Sequence, residues 1–216
     1  NTAHNFKQVF WNRLEDLNID THIIIGNHDT YYKNTNEVNA LQNLNISKDA
    51  KIYTRPDTVN FGGLDILFLP WICDDNYDDS LYSIDNSTTT IAMGHLEVKG
   101  FEMHKGHFND HGLEKTQFNK FEKVLSGHFH KKSDDGRIYY LGTQYEITWS
   151  DYKCPKGFHI FDTDTREIER VSNPYRMYKK LYYNDKDTDY SDFDLSPFND
   201  TFVKIFVTNK TDEDMF

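Results

Sequence analysis

Apolar residues along this chain come in short runs separated by polar and glycine-bearing stretches, and three of the runs end alike. Thr21-His22-Ile23-Ile24-Ile25 leads into Gly26-Asn27-His28-Asp29, Thr90-Ile91-Ala92-Met93 into Gly94-His95, and Val124-Leu125-Ser126 into Gly127-His128-Phe129-His130. Each reads as a short buried strand closed by a glycine that tolerates unusual backbone angles. Ligands of open α/β sheets gather outside the carboxyl ends of strands. Strands that bring imidazoles and a carboxamide to one such edge would build a metal site.

The pattern elsewhere predicts a helix over Ala3 to Leu17, capped by Thr2, with Phe6, Val9, Phe10, Leu14 and Leu17 along one face. A second helix is expected from Glu37 to Leu44, then strands at Lys51–Thr54 and Leu64–Leu69, divided by Gly62-Gly63 and closed by Pro70-Trp71. Asp74 to Ser87 is acidic and polar, a loop or a surface helix. A long loop carries His104, His107 and His111, and a short helix is expected at Thr116–Phe121. Further strands are predicted at Arg137–Leu141, Gly157–Phe161 and Glu167–Val171, with Asp162–Thr165 as a hairpin turn. After Pro174 the character changes. Tyr175–Tyr183 is basic and aromatic, Asn184–Asp200 acidic, and Thr201–Thr208 alternates as a strand, so a second, smaller domain is expected from residue 174. Strands alternating with a few helices, then a run of strands, predict an α/β fold with a two-sheet layered core and helices outside.

The net charge of −11, from 24 Lys and Arg against 35 Asp and Glu, argues against a protein that coats nucleic acid by bulk attraction. It leaves room for an enzyme whose metals neutralise a polyanion locally. No apolar run approaches the roughly 18–20 residues that span a bilayer, and Asn1 to Phe10 lacks the apolar core of a signal peptide. Cys73 and Cys154 form no spaced motif and fit a reducing compartment without a disulfide. The chain opens on Asn1 with a helix almost at once and closes shortly after a strand, so it is expected to be an internal piece of a longer protein.

In Gly127-His128-Phe129-His130 the imidazoles at i and i+2 would lie on the same side of an extended segment, each reaching its own metal or sharing one. His95 adds a third ring and Asn27 a carboxamide oxygen, a donor set suited to manganese, zinc or iron. Paired metals about 3.5–4 Å apart polarise a phosphoryl oxygen and activate a shared water. His28 follows a ligand residue directly and would face the substrate, stabilising charge or protonating a leaving oxygen, with Asp29 orienting its ring. The other histidines, His4, His22 and His159 among them, read as surface or satisfied core residues. Asp74-Asp75-Asn76-Tyr77-Asp78 imitates a calcium loop but carries Asp79 where glycine is required, and it reads as a solvated acidic stretch.

With these motifs in order, the chain resembles the calcineurin-like metallophosphoesterases, which carry Gly-Asn-His-Asp/Glu, then Gly-His, then Gly-His-x-His. It is similar in particular to the SbcD-type DNA exonuclease subunits and their versions in tailed phages. Supporting stretches include Phe68-Leu69-Pro70-Trp71, Met93 to Gly100, Tyr140-Leu141-Gly142-Thr143 and Lys156 to Asp162. The resemblance implies a two-sheet metallophosphoesterase core over 1–173 and the start of a DNA-capping domain over 174–216. It implies Asn27, His95 and His128 on one metal, His130 on a second, and His28 as the catalytic histidine. Mn²⁺ is the implied ion, with Mg²⁺, Zn²⁺ or Fe as alternatives. It further implies cleavage of DNA ends in recombination and repair, an SMC-like ATPase partner, a homodimer, no membrane, and the cytoplasm of a bacterial or phage-infected cell. The chain departs from the family by lacking the opening Asp-x-His and Gly-Asp motifs. The expectation is therefore a core without its amino-terminal part, binding at most one metal well and nearly inactive alone. A phosphatase of the same fold and a catalytically dead binding module are the competing readings.

Overall fold

The computed structural model describes residues 2–43, 50–104 and 106–211. They divide into two compact units, Asn1–Gly142 with Phe161–Ile168, and Thr143–Ile160 with Glu169–Phe216.

The first unit opens with α1 (Thr2–Phe6) and α2 (Asn12–Asp16), joined through one π-helical turn at Lys7–Trp11. The stripe expected along one face is not buried. Phe6, Val9, Phe10 and Leu17 are exposed, and the buried side chain is Trp11, whose Nε1 donates to Glu15. A π turn adds a residue to the local repeat, so a stripe written for 3.6 residues per turn loses its alignment there.

Strand β1 (His22–Ile24) is followed by α3 (Ala40–Asn43), shorter than expected because Asn39 Oδ1 accepts from the Gln42 N–H and starts the helix. Leu44 lies outside the described residues. Strand β2 (Lys51–Tyr53) pairs in parallel with β1. A hairpin follows, β3 (Asp57–Phe61) with β4 (Leu64–Leu69), turning through Gly62 and Gly63 at φ +60° and +95°. Two successive positive φ angles are what a tight hairpin turn needs, and glycine supplies them without strain. The acidic stretch becomes α4 (Tyr77–Asn86), with Ser80 and Ile84 buried. Next come β5 (Ile91–Gly94), a small hairpin β6 (Glu102–His104) and β7 (His107–Phe108) within the region read as loop, then β8 (Lys123–Ser126), β9 (Ser133–Asp134) and β10 (Ile138–Tyr140). The helix expected at 116–121 is a 3₁₀ turn, Lys115–Phe118.

The central sheet is mixed, in the order β3-β4-β5-β8-β10-β9, with β4, β5, β8 and β10 parallel and antiparallel strands at both edges. Side chains alternate between its faces. Leu67, Leu69, Ala92, Val124, Ile138 and Tyr140 join Phe118, Phe121 and Phe129 on one side. Ile66, Phe68 and Ile91 meet Ile24 of β1 and Tyr53 of β2 on the other. Parallel strands buried on both faces read as continuous apolar runs, which is why β4, β5 and β8 were visible in the sequence. Truncating one such residue, Leu69→Ala for example, costs about 2–5 kcal/mol.

Strands β11 (Gly157–Phe161) and β12 (Ile168–Ser172) form a hairpin whose turn is held by Asp162 Oδ1, which accepts from Asp164 and Thr165. In the second unit β13 (Tyr178–Asn184), unread in the sequence, pairs in parallel with the exposed β14 (Phe202–Asn209). Glu146, buried, accepts from the Met177 and Tyr178 N–H groups at the start of β13. Both cysteines are free. Among the described residues no helix is long and apolar enough to cross a membrane.

Candidate metal centre

The parallel ladder continues past the named strands and fixes where each motif emerges. His95 N–H donates to Leu69 O (3.0 Å), Gly127 N–H to Gly94 O (2.9 Å) and Leu141 N–H to Ser126 O (3.0 Å). Trp71 N–H donates to Ile25 O (2.8 Å), tying the end of β1 to the chain leaving β4. Carboxyl ends from two layers of strands are thereby drawn to one edge.

At that edge His95 Nε2 lies 2.9 Å from Asn27 Oδ1, and the His95 and His128 rings sit edge to face with centroids 5.2 Å apart. Trp71 packs tilted on His128 at 5.2 Å and edge-on to His95 at 6.1 Å. Burial, reinforced by the neighbouring His128 and His28, pushes the His95 imidazole down to about 3. Burial also lowers His128, with His28 and His130 adding to the effect. Both rings are therefore neutral near pH 7, the form that offers a lone pair to a metal. His28 is exposed and near enough to contribute to the lowering of both rings.

The three glycines serve a different purpose from the one expected. None of Gly26, Gly94 and Gly127 has a positive φ. What they supply is room. A β-carbon on Gly26 would stand 2.8 Å from the His95 ring, one on Gly127 3.0 Å from His95 Nδ1, and one on Gly94 2.8 Å from Leu69 O. The left-handed backbone belongs to His128 itself, at φ +83°. For a side-chain-bearing residue that is a strained state, of the sort that persists where surrounding structure enforces it.

This conformation also removes the extended geometry on which same-side placement of His128 and His130 depended. His130 still lies close enough for its charge to press on His128. Asp29 Oδ2 accepts from the Gly26 N–H (2.8 Å) and braces the loop carrying Asn27. Among the described residues no three His, Cys, Asp or Glu side chains converge as a metal-holding group. The donors that do meet, a carboxamide oxygen and neutral imidazoles, suit one N/O-ligated divalent ion but make an incomplete shell.

Several supporting residues escaped the sequence reading. Ser126 Oγ accepts from the Leu96 N–H, while the Tyr140 hydroxyl accepts from Val98 N–H and donates to Leu96 O, so the loop after His95 is pinned from beneath. Buried Asn36 and Asn76 both donate to Trp71 O, at 2.7 and 3.0 Å. Pro70-Trp71 at a strand end was the one visible trace of this arrangement. His22 sits among aromatic rings with Nδ1 2.7 Å from the Tyr53 hydroxyl, His107 is exposed, and His111 is exposed beside Asp110.

No protein-family model matches the chain. It is 38% identical over 183 residues to exonuclease subunit 1 of Enterobacteria phage T4, covering 83% of this chain and 53% of that protein. It is 26% identical over 105 residues to the SbcD component of the SbcCD nuclease of Staphylococcus saprophyticus, covering 45% of this chain and 28% of that protein. The chain thus spans about half the length of the phage relative.

Proposed function

From its relationship to the SbcD-type nuclease subunits of phages and bacteria, we propose that this chain is part of a metal-dependent nuclease hydrolysing phosphodiesters at DNA ends. The observation that carries this reading is the meeting of Asn27, His95 and His128 at the carboxyl ends of strands far apart in the chain. The first unit is on this reading a metallophosphoesterase core. Asn27, His95 and His128 would hold one divalent ion and His130 would serve a second, with Mn²⁺ the ion of choice. Such an ion supplies a Lewis acid for the phosphoryl oxygen and a water of lowered pKa. His28, exposed beside the neutral pair, stabilises charge or delivers a proton at the leaving oxygen. With an incomplete shell, the 216 residues alone are a weak catalyst.

Residues 174–216 begin a segment that holds DNA. Its unit places Lys180 over Tyr152 (4.5 Å) and Lys204 over Trp149 (4.7 Å), pairings of cation and ring suited to a nucleic-acid strand. An SMC-like ATPase is the proposed partner, a homodimer the proposed assembly, and the cytoplasm the proposed compartment.

The test is Mn²⁺ titration followed by electron paramagnetic resonance, alongside degradation of linear DNA. Binding at one strong site, lost in His95→Ala and His128→Ala, with DNA cut in preference to nucleotide monoesters, is the expected result. Unchanged Mn²⁺ binding in both variants, or a preference for monoesters, overturns the reading.

A further inference from the structure

We infer that the hollow beside Trp71 is a nucleobase pocket that favours bases carrying an exocyclic amine over thymine. The inference rests on the nuclease reading for the identity of the ligand. A cavity of about 220 Å³ is lined by Trp71, Ile72, Tyr77, Glu97, Gly112 and Leu113. That is the share of roughly seven liquid waters, enough for one ring system and too little for a stretch of strand. Trp71 belongs both to this wall and to the metal centre, where it packs on His128 and His95.

The walls are built rather than incidental. The peptide of Trp71 is pinned on both sides, its N–H by Ile25 and its carbonyl by Asn36 and Asn76. Opposite, Leu113 N–H donates to Glu97 O and Lys99 N–H to Leu113 O. Gly112, at φ +84°, lets these segments touch, since a β-carbon there would stand 2.2 Å from Glu97 O. The indole and the Tyr77 phenol offer flat faces, and stacking on such faces tolerates any base.

Glu97 sets the preference. Among the described residues its carboxylate takes part in no hydrogen bond or ion pair, and no Lys or Arg lines the cavity. A carboxylate repels a phosphate but accepts from an exocyclic amine, as Glu and Asp do from cytosine N4. Thymine offers carbonyls and a methyl group on the corresponding edge.

Neutral nucleosides test this without metal, phosphate or catalysis. Deoxycytidine and thymidine are titrated into the ¹⁵N-labelled chain, reading the Trp71 indole N–H signal, which Trp71→Phe assigns by its disappearance. Deoxycytidine is expected to move that signal, thymidine to bind about tenfold more weakly, and Glu97→Met to erase the difference. Tyr77→Ala, at an exposed position that does not threaten folding, is expected to weaken both. An unmoved Trp71 signal, or a preference that survives Glu97→Met, overturns the pocket. Deoxycytidine binding by a protein that cuts nucleotide monoesters in preference to DNA would sink the nuclease reading and leave the pocket standing; a preference for DNA without nucleoside binding would do the reverse.

Discussion

The His95 ring fills the space that a β-carbon on Gly26 would take, its Cε1 2.8 Å from that point. Gly26→Ala is therefore expected to push the imidazole away from Asn27, at a stability cost of about 1–3 kcal/mol and with weakened Mn²⁺ binding. Gly94→Ala meets a backbone oxygen instead of a movable ring, so urea denaturation should show the larger loss there. Equal stability of both variants and the native chain would contradict this account of the glycines.

His128 gives a sign reversal. At most sites glycine is less stable than alanine, by about 0.5–1 kcal/mol within regular elements. At φ +83° the order should invert. His128→Gly is expected to be more stable than His128→Ala by about 1–2 kcal/mol, while both lose the imidazole. Parallel denaturation curves of the two variants decide it.

Tyr140 serves two buried backbone groups through one hydroxyl, Val98 N–H and Leu96 O. Tyr140→Phe leaves both without that partner and should cost about 1–3 kcal/mol. Tyr139→Phe, whose hydroxyl donates only to Gly136 O at an exposed turn, should stay within about 0.5 kcal/mol of the native chain.

The buried pair Asp151 and Lys156, 2.8 Å apart, yields a pH dependence. Burial raises the Asp151 carboxyl, but the Lys156 ammonium and the N–H groups of Thr148 and Ile147 outweigh it and hold the group below its usual range. The folded state thus prefers the carboxylate. Its stabilisation is present above the unfolded value of 3.8 and is lost as pH falls through the lower folded value. Asp151→Ala is expected to cost about 3–5 kcal/mol at pH 7, with the gap to the native chain narrowing in strong acid. A gap independent of pH down to acid unfolding would rule the pair out as its source.

Legibility followed burial. Leu64–Leu69, Lys123–Ser126 and Gly157–Phe161 could be bounded from sequence because apolar or alternating runs stop there at glycine, proline or a polar turn. The relationship to phage and bacterial nuclease subunits was likewise visible in the glycine–histidine motifs. The helix face of Phe6, Val9 and Phe10 misled because periodicity reports amphipathicity, not what covers it. Strand β13 was hidden by its lysines, which lie along aromatic rings instead of marking a loop. The clamp of Asn36 on Trp71 spans 35 positions and follows from no local rule. The purpose of the glycines needed the third dimension, since room for a distant ring leaves no trace beside Gly26.

Asn27 and His95 are 68 positions apart in the chain, and that separation governs when the centre comes into being. Closing so long a loop costs entropy that no local turn recovers, and contacts of this range form late, once parallel strands have found their partners. An emerging or partly unfolded polypeptide consequently holds its imidazoles scattered, with no collective grip on an ion. On the proposed reading, a site assembled from these residues exists only once the tertiary structure is whole, so its formation would report completed folding.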